Sequence, residues 1–231
     1  MAKTREFQAL LYACSQEGCI ICRLVQESTH RYLDHWKYEV FTDVEVRMKL
    51  RRTQGFCHTH TWQLANMGAT LQLAQAYREI VSDAIEQLQK DTMSAAPAAG
   101  VLRRFFDNRN EDNGSKDCPA CTRQKESEER YVQGLRQALL DEEFYRNFTT
   151  SHGLCLDHFR LTSELKTADA TTSKWLPLLR KAQLACLQRL DEQLGELIRK
   201  HDYRFKDEER GEEMLSWKRA AGLIAGEEHR L

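Results

Sequence analysis

Six of the eight cysteines and two histidines stand at spacings that suit a metal ion. Cys19 and Cys22 form one CxxC pair, and Cys118 and Cys121 form a second. Cys57 with His60, and Cys155 with His158, each form a CxxH pair. A spacing of three on a helix puts both side chains on one face, about one turn apart. Two such pairs facing one another make a tetrahedral box of three thiolates and one imidazole, the Cys₃His set of closed structural zinc sites. Taken in chain order, the expected quartets are Cys19, Cys22, Cys57 and His60, then Cys118, Cys121, Cys155 and His158. Copy one has a spare histidine, His58, but Leu156 stands at the matching place in copy two, which selects His60.

These pairs sit inside a longer repeat. "GCIICRLVQESTHRY" (Gly18 to Tyr32) overlays "DCPACTRQKESEERY" (Asp117 to Tyr131), matching Arg31 with Arg130 and Tyr32 with Tyr131. "TDVEVRMKLRRTQGFCHTHTWQL" overlays "LDEEFYRNFTTSHGLCLDHFRLT", matching Asp43 with Asp141, Gly55 with Gly153, and Cys57 with Cys155. The interval from the CxxC to the CxxH is 35 positions in one copy and 34 in the other. The ordered set reads as two diverged copies of one module.

The elements that position the ligands read as helices, with no convincing strand. In each copy one helix opens at the CxxC and runs to about Tyr38 or Leu140, with Pro119 suited to the first helical position. A second starts at Asp43 or Asp141, acids suited to N-capping, and ends at Gly55 or Gly153. A third, long helix follows the histidine, with apolar stripes at Ala74, Tyr77, Val81, Ala84 and Leu88, and at Leu179, Cys186, Leu190, Leu194 and Leu197. The expected fold is therefore all-α, two pseudo-symmetric helical modules formed by an internal repeat, each pinned by a Cys₃His metal site. The expected division is 1–92 and 117–201 for the modules, 93–116 for a linker with a short "VLRRFFD" turn, and 202–231 for a C-terminal tail. Tyr203, Phe205, Leu215, Trp217 and Ile224 are the tail's expected anchors.

Composition narrows the function classes. The 231 residues carry a formal net charge of −1, so bulk charge offers no attraction for nucleic acid or an acidic membrane. No window approaches a membrane span, and "MAKTREFQALLYACSQEG" is too broken for a secretory signal. A cytoplasmic location follows as an expectation, and there close cysteine pairs read as metal or redox sites rather than disulfides. No Ser/His/Asp set, phosphate loop or dinucleotide fingerprint appears, so no catalytic residue is assigned and enzymatic activity is not expected. Cys14 and Cys186 read as core thiols. "KESEERY" reads as a solvated helix face, "RMKLRR" as an isolated basic strip, and His30, His35, His152, His201 and His229 as surface or packing residues.

The expected cofactor is zinc, two ions per chain, held structurally. An iron–sulfur cluster, in an electron carrier or redox sensor, is the alternative. A dithiol oxidoreductase is a third possibility, but it usually needs a βαβ setting. A closed box leaves no open coordination position, so the expected role is a non-enzymatic scaffold or adaptor for a protein partner. A regulator that loses metal on oxidation is a further option.

The twin CxxC…"GFCHTH" and "CPAC"…"GLCLDH" motifs, with the tail "IRKHDYRFKDEERGEEMLSWKRAAGLIAG", resemble a bacterial family of unknown function with twin cysteine/histidine modules. The resemblance covers nearly the whole chain and implies no activity. It implies that the tail belongs to the fold and that the ligands are Cys19, Cys22, Cys57, His60, Cys118, Cys121, Cys155 and His158. Copy one departs in beginning "CIIC" without a proline.

Overall fold

A computed structural model describes residues 4–93, 118–164, 172–205 and 207–227. Ten α-helices and no strand are found among them. The expected linker, apart from Met93, and His229 lie outside the described residues.

Helix α1 (Arg5–Cys14) is capped by Thr4, whose hydroxyl accepts the Phe7 N–H. Helix α2 (Ile20–His35) continues into a π-helical turn at Trp36–Val40. Helix α3 (Val44–Arg52) opens at Asp43, whose carboxylate accepts the Val46 N–H at 3.0 Å. Helix α6 (Pro119–Ala138) opens on its proline, and α7 (Glu142–Thr150) is capped by Asp141 through the Phe144 N–H at 3.0 Å. These starts agree with the sequence, because a short acidic side chain satisfies one of the free N–H groups of a first turn.

The long third helices are each two elements. In the first copy α4 (His58–Asn66) stops before Gly68, which has φ +74°, and α5 (Thr70–Met93) begins anew. In the second, α8 (Leu156–Glu164) is separate from α9 (Thr172–Lys200). The stripe expected on α5 is also rotated. Ala76 is buried there, whereas Val81 and Leu88 are exposed. Two 3₁₀ turns (Tyr203–Phe205 and Glu212–Leu215) and α10 (Ser216–Ala225) complete the chain.

The chain divides into two compact units that do not follow the 1–92/117–201 division of the sequence. One unit is Met1–Glu27 with Ser127–Arg230, and the other is Ser28–Glu126. In the first, Leu10, Ile20, Ile21, Leu135, Phe144, Phe148, Trp175 and Leu179 form a core. Phe7 and Phe148 flank Phe144, with ring centroids 5.9 and 6.0 Å away. In the second, Leu33, Trp36, Leu50, Phe56 and Leu64 form the core, and Trp36 meets Phe56 edge to face at 5.1 Å. Full burial of a Leu or Phe side chain contributes about 1.5–3 kcal/mol, so both cores are substantial.

Two of the four basic residues of the strip are paired within the second unit. Arg47 pairs with Glu79, and Arg51 Nε donates to Asp83 at 2.6 Å, so α3 and α5 are laced at a spacing of four on each helix. In the tail only Phe205 of the expected anchors is half-buried, with the Arg199 guanidinium over its ring at 4.4 Å. Tyr203, Trp217 and Ile224 are 80%, 55% and 68% exposed, while Glu213, Ser216 and Gly222 are buried. Lys200 Nζ donates to Glu213 at 3.0 Å, and the Gly211 N–H donates to the same carboxylate at 2.7 Å. Small and charge-paired residues let the tail lie close, and the rings of Tyr203 and Trp217 stay outside.

Candidate metal centres

The eight ligand candidates fall on one structural pattern. Cys19, Cys57, Cys118 and Cys155 each precede the first residue of a helix: α2, α4, α6 and α8. Each of their carbonyls accepts the opening helical bond, from Arg23, Thr61, Thr122 and Phe159. The second member of each pair, three residues on, reaches back over the first turn. The spacing from N-cap to third helical residue is that of a capping box, but Cys57 makes no side-chain cap hydrogen bond, and the side chains turn toward one another instead. Free N–H groups and the positive helix end at that position favour thiolate over thiol.

The structure brings all eight together, but not in chain order. Cys19 and Cys22 meet Cys155 and His158; Cys57 and His60 meet Cys118 and Cys121. In each group the four ligand atoms lie within 4.8 Å of one another, and each group could hold a metal ion. The expected partition into Cys19/Cys22/Cys57/His60 and Cys118/Cys121/Cys155/His158 is therefore corrected to a crossed one. Helix length supplies the reason. Helix α2 and its π turn, 16 and 5 residues, carry the chain about 31 Å from Cys19 at 1.5 Å per residue. The 9 residues of α3 rise only about 14 Å, so even laid straight back they would cover less than half of that distance, and the turn after α3 is closed by the Gly55 N–H on Leu50 O. Cys57 thus meets the other CxxC. Each quartet lies inside one compact unit.

In the first quartet Cys22 Sγ is 3.7 Å from Cys155 Sγ. His158 Nδ1 is 3.5, 3.3 and 3.1 Å from the sulfurs of Cys19, Cys22 and Cys155. In the second, Cys121 Sγ is 3.6 Å from Cys57 Sγ. His60 Nδ1 is 3.1, 3.6 and 3.4 Å from Cys57, Cys118 and Cys121. Tetrahedral bonds of about 2.3 Å to sulfur and about 2.0 Å to nitrogen give edges of roughly 3.8 Å between sulfurs and roughly 3.5 Å from sulfur to nitrogen. The observed edges lie close to both.

Protons cannot balance these sulfurs evenly. Burial works against charge on His158 and His60, yet the surrounding sulfurs raise them to about 11 and about 9. Hydrogen bonds from Cys19 and Cys22 pull the Cys155 thiol far down; those from Cys121 and Cys57 do the same to Cys118. Burial holds Cys19 up, and Cys118 holds Cys121 up. Cys19 and Cys121 are thus held toward the thiol, and a divalent ion bound there would displace their protons.

The loop before Cys155 is fixed from several sides. Gln183 of α9 accepts the Leu154 N–H at 3.0 Å and donates to Leu154 O at 2.8 Å. Arg189 donates to Thr149 O at 3.1 Å and to Ser151 O. Gly153 has φ +74°, and a Cβ there would lie 2.8 Å from Gln183 Oε1. Gly55 plays the same part before Cys57: its φ is +99°, and a Cβ would lie 3.1 Å from the Tyr77 ring. Gly153 therefore does not end α7, which stops at Thr150, whereas Gly55 still closes α3 through its N–H on Leu50 O, behind the left-handed Gln54 (φ +55°). Both glycines admit a neighbouring helix to the loop that delivers the cysteine.

Two carboxylates escaped the sequence reading. Glu128 Oε1 lies 2.9 Å from His158 Nε2, although it belongs to "KESEERY", expected to be solvated. Glu227 accepts the Cys19 N–H at 3.0 Å, so the tail caps the helix that carries the first CxxC. Neither has a repeat-matched twin: Thr29 stands ten positions after Cys19, as Glu128 does after Cys118. Cys14 and Cys186 are buried, and burial, then Cys186, pushes Cys14 up to about 12, as suits core thiols. His152 is a packing residue whose Nδ1 accepts the Gly18 N–H at 2.7 Å; burial, then Arg219, lowers its pKa and keeps it neutral. Tyr131 is buried with Arg130 over its ring at 5.0 Å; Tyr32 is partly buried.

The fold and the sites define an all-helical protein with two Cys/His quartets, each built from paired helix starts. Residues 11–230 match the profile of DUF6062, a family of unknown function, and the chain belongs to that family. It is 21% identical over 213 residues to an uncharacterized 23.9 kDa protein in the xynA 3′ region of Caldicellulosiruptor sp. (strain Rt8B.4), covering 91% of this chain and 96% of the relative. No solved structure matches the chain significantly. Among the described residues, no helix is long and apolar enough to cross a membrane.

Proposed function

We propose that the protein is a helical scaffold or adaptor held together by two structural zinc ions, one in each crossed quartet. The observation that carries this reading is the spacing of the ligand atoms, all within 4.8 Å of one another in each group. Four donors that close share a single ion. An iron–sulfur cluster sets several iron and sulfide atoms between its ligands and would hold them farther apart, which counts against the electron-carrier alternative. Four protein ligands leave no open position for substrate or water, so the ion's role is mechanical rather than catalytic.

Each zinc would close a long loop. Cys22 and Cys155 are 133 positions apart, and Cys121 and His60 are 61 apart. Both ions thus fasten early segments to late ones within a unit. The partner in this reading is another protein, met through exposed helical faces. Val81, Ile85 and Leu88 form an exposed apolar stripe at helical spacing on α5, and Trp217 and Ile224 are exposed on α10. Metal analysis of protein purified without oxygen tests the reading. Two zinc ions and no visible absorption are expected; a brown chain with iron and acid-labile sulfide would overturn it.

A further inference from the structure

The two quartets differ in what supports the histidine. His158 offers Nδ1 to the sulfurs, and its opposite nitrogen, Nε2, meets Glu128 at 2.9 Å. A carboxylate there accepts a hydrogen bond from the Nε2–H. That fixes the tautomer with the Nδ1 lone pair free, fixes the ring plane and makes the nitrogen a better donor. The Glu128 side chain is one-third exposed. His60 also directs Nδ1 at three sulfurs, but among the described residues no carboxylate meets its Nε2. In the sequence register the counterpart of Glu128 is Thr29, a neutral residue.

Burial differs in the same direction. All four ligand residues of the Cys19 quartet are buried, whereas Cys57 and Cys121 are only partly so. A chelator must displace ligands one at a time, so partly exposed sulfurs give it a first foothold. The first quartet has a further restraint, because Glu227 holds the N–H of Cys19.

Resting on the reading of both quartets as zinc sites, we propose that they are inequivalent. Glu128 is a positioning residue that locks His158, and the quartet of Cys57, His60, Cys118 and Cys121 gives up its ion first. The chain then has a durable clasp and a yielding one, and the yielding one lies wholly within 28–126.

The test follows zinc release from the loaded full-length chain into excess EDTA, with cysteine alkylation mapped by peptide mass spectrometry. Two phases of one ion each are expected. Alkylation quenched after the first phase should label Cys57, Cys118 and Cys121 and spare Cys19, Cys22 and Cys155. Glu128→Ala should speed the second phase about 10- to 100-fold and leave the first unchanged, with Glu128→Gln between it and the parent. In nitrogen-15 spectra, the His158 Nε2–H of Glu128→Ala should exchange faster with solvent while the His60 signals stay in place. A single phase, labelling of the Cys19 group first, or equal acceleration of both phases by Glu128→Ala overturns the proposal while leaving two zinc sites standing. A chain that carries no bound metal overturns the zinc reading as well.

Discussion

Replacing His158 separates the crossed quartets from the chain-order alternative. His158→Ala removes one of four ligands and leaves Cys19, Cys22 and Cys155 without a closed shell. An ion held there would span 133 positions between Cys22 and Cys155. Treated as a cross-link, a loop of that length constrains the unfolded chain by about 5 kcal/mol, against about 4 kcal/mol for the 61-position loop of the second site. A ΔΔG of 1 kcal/mol shifts Tm by about 2–4 °C in a chain of this size, so His158→Ala should lower it by roughly 10–20 °C with zinc present. His60→Ala should cost somewhat less. Chain-order quartets would instead close loops of nearly equal length, 35 and 34 positions, and the two variants would melt alike. Calorimetry gives the size of the effect, and alkylation gives its place. In His158→Ala, Cys19, Cys22 and Cys155 should become reactive while Cys118 and Cys121 stay protected. Reactivity appearing at Cys118 and Cys121 would refute the crossing.

Gly153→Ala should destabilise by more than 1 kcal/mol in a denaturant melt, because φ is +74° and the new Cβ meets Gln183 at 2.8 Å. Gly68→Ala, with the same φ and open space around it, should cost less, and equal losses would show that the contact with α9 is unimportant. Glu227→Ala removes the cap on Cys19 and should cost about 1 kcal/mol, with faster amide exchange at Cys19 as its marker. Glu213 has its pKa lowered to about 2 by the Gly211 N–H, then by Lys200. A depressed carboxylate pKa contributes stability above the ordinary value of 4.5, and that contribution is lost as pH falls toward 2. Trp217 fluorescence should therefore report loosening of the tail between those values, and Glu213→Gln should abolish that step.

The sequence carried the site further than it carried the fold. The eight ligand candidates were legible because CxxC and CxxH pairs constrain chemistry by spacing alone. The caps at Asp43, Asp141 and Pro119 were legible because a helix start has few solutions. Which CxxC meets which CxxH was not, since a repeat shows which residues correspond and not which copies touch. The length of α2 held that information, and a reading that followed the chain about 31 Å out and less than half of that back would have found it. The break at Gly68 was visible as a glycine after "ANM", but the apolar pattern on either side hid it. Glu128 and Glu227 gave no signal: each is one acid among many in a charged stretch, and only the third dimension sets it against a ligand.

X-ray absorption at the zinc edge of the purified full-length chain tests the account most directly. Two zinc ions per chain, each with three sulfurs near ~2.3 Å and one nitrogen near ~2.0 Å, are predicted. A shell with oxygen neighbours, a zinc edge too weak for two ions per chain, or an iron edge in its place would contradict it.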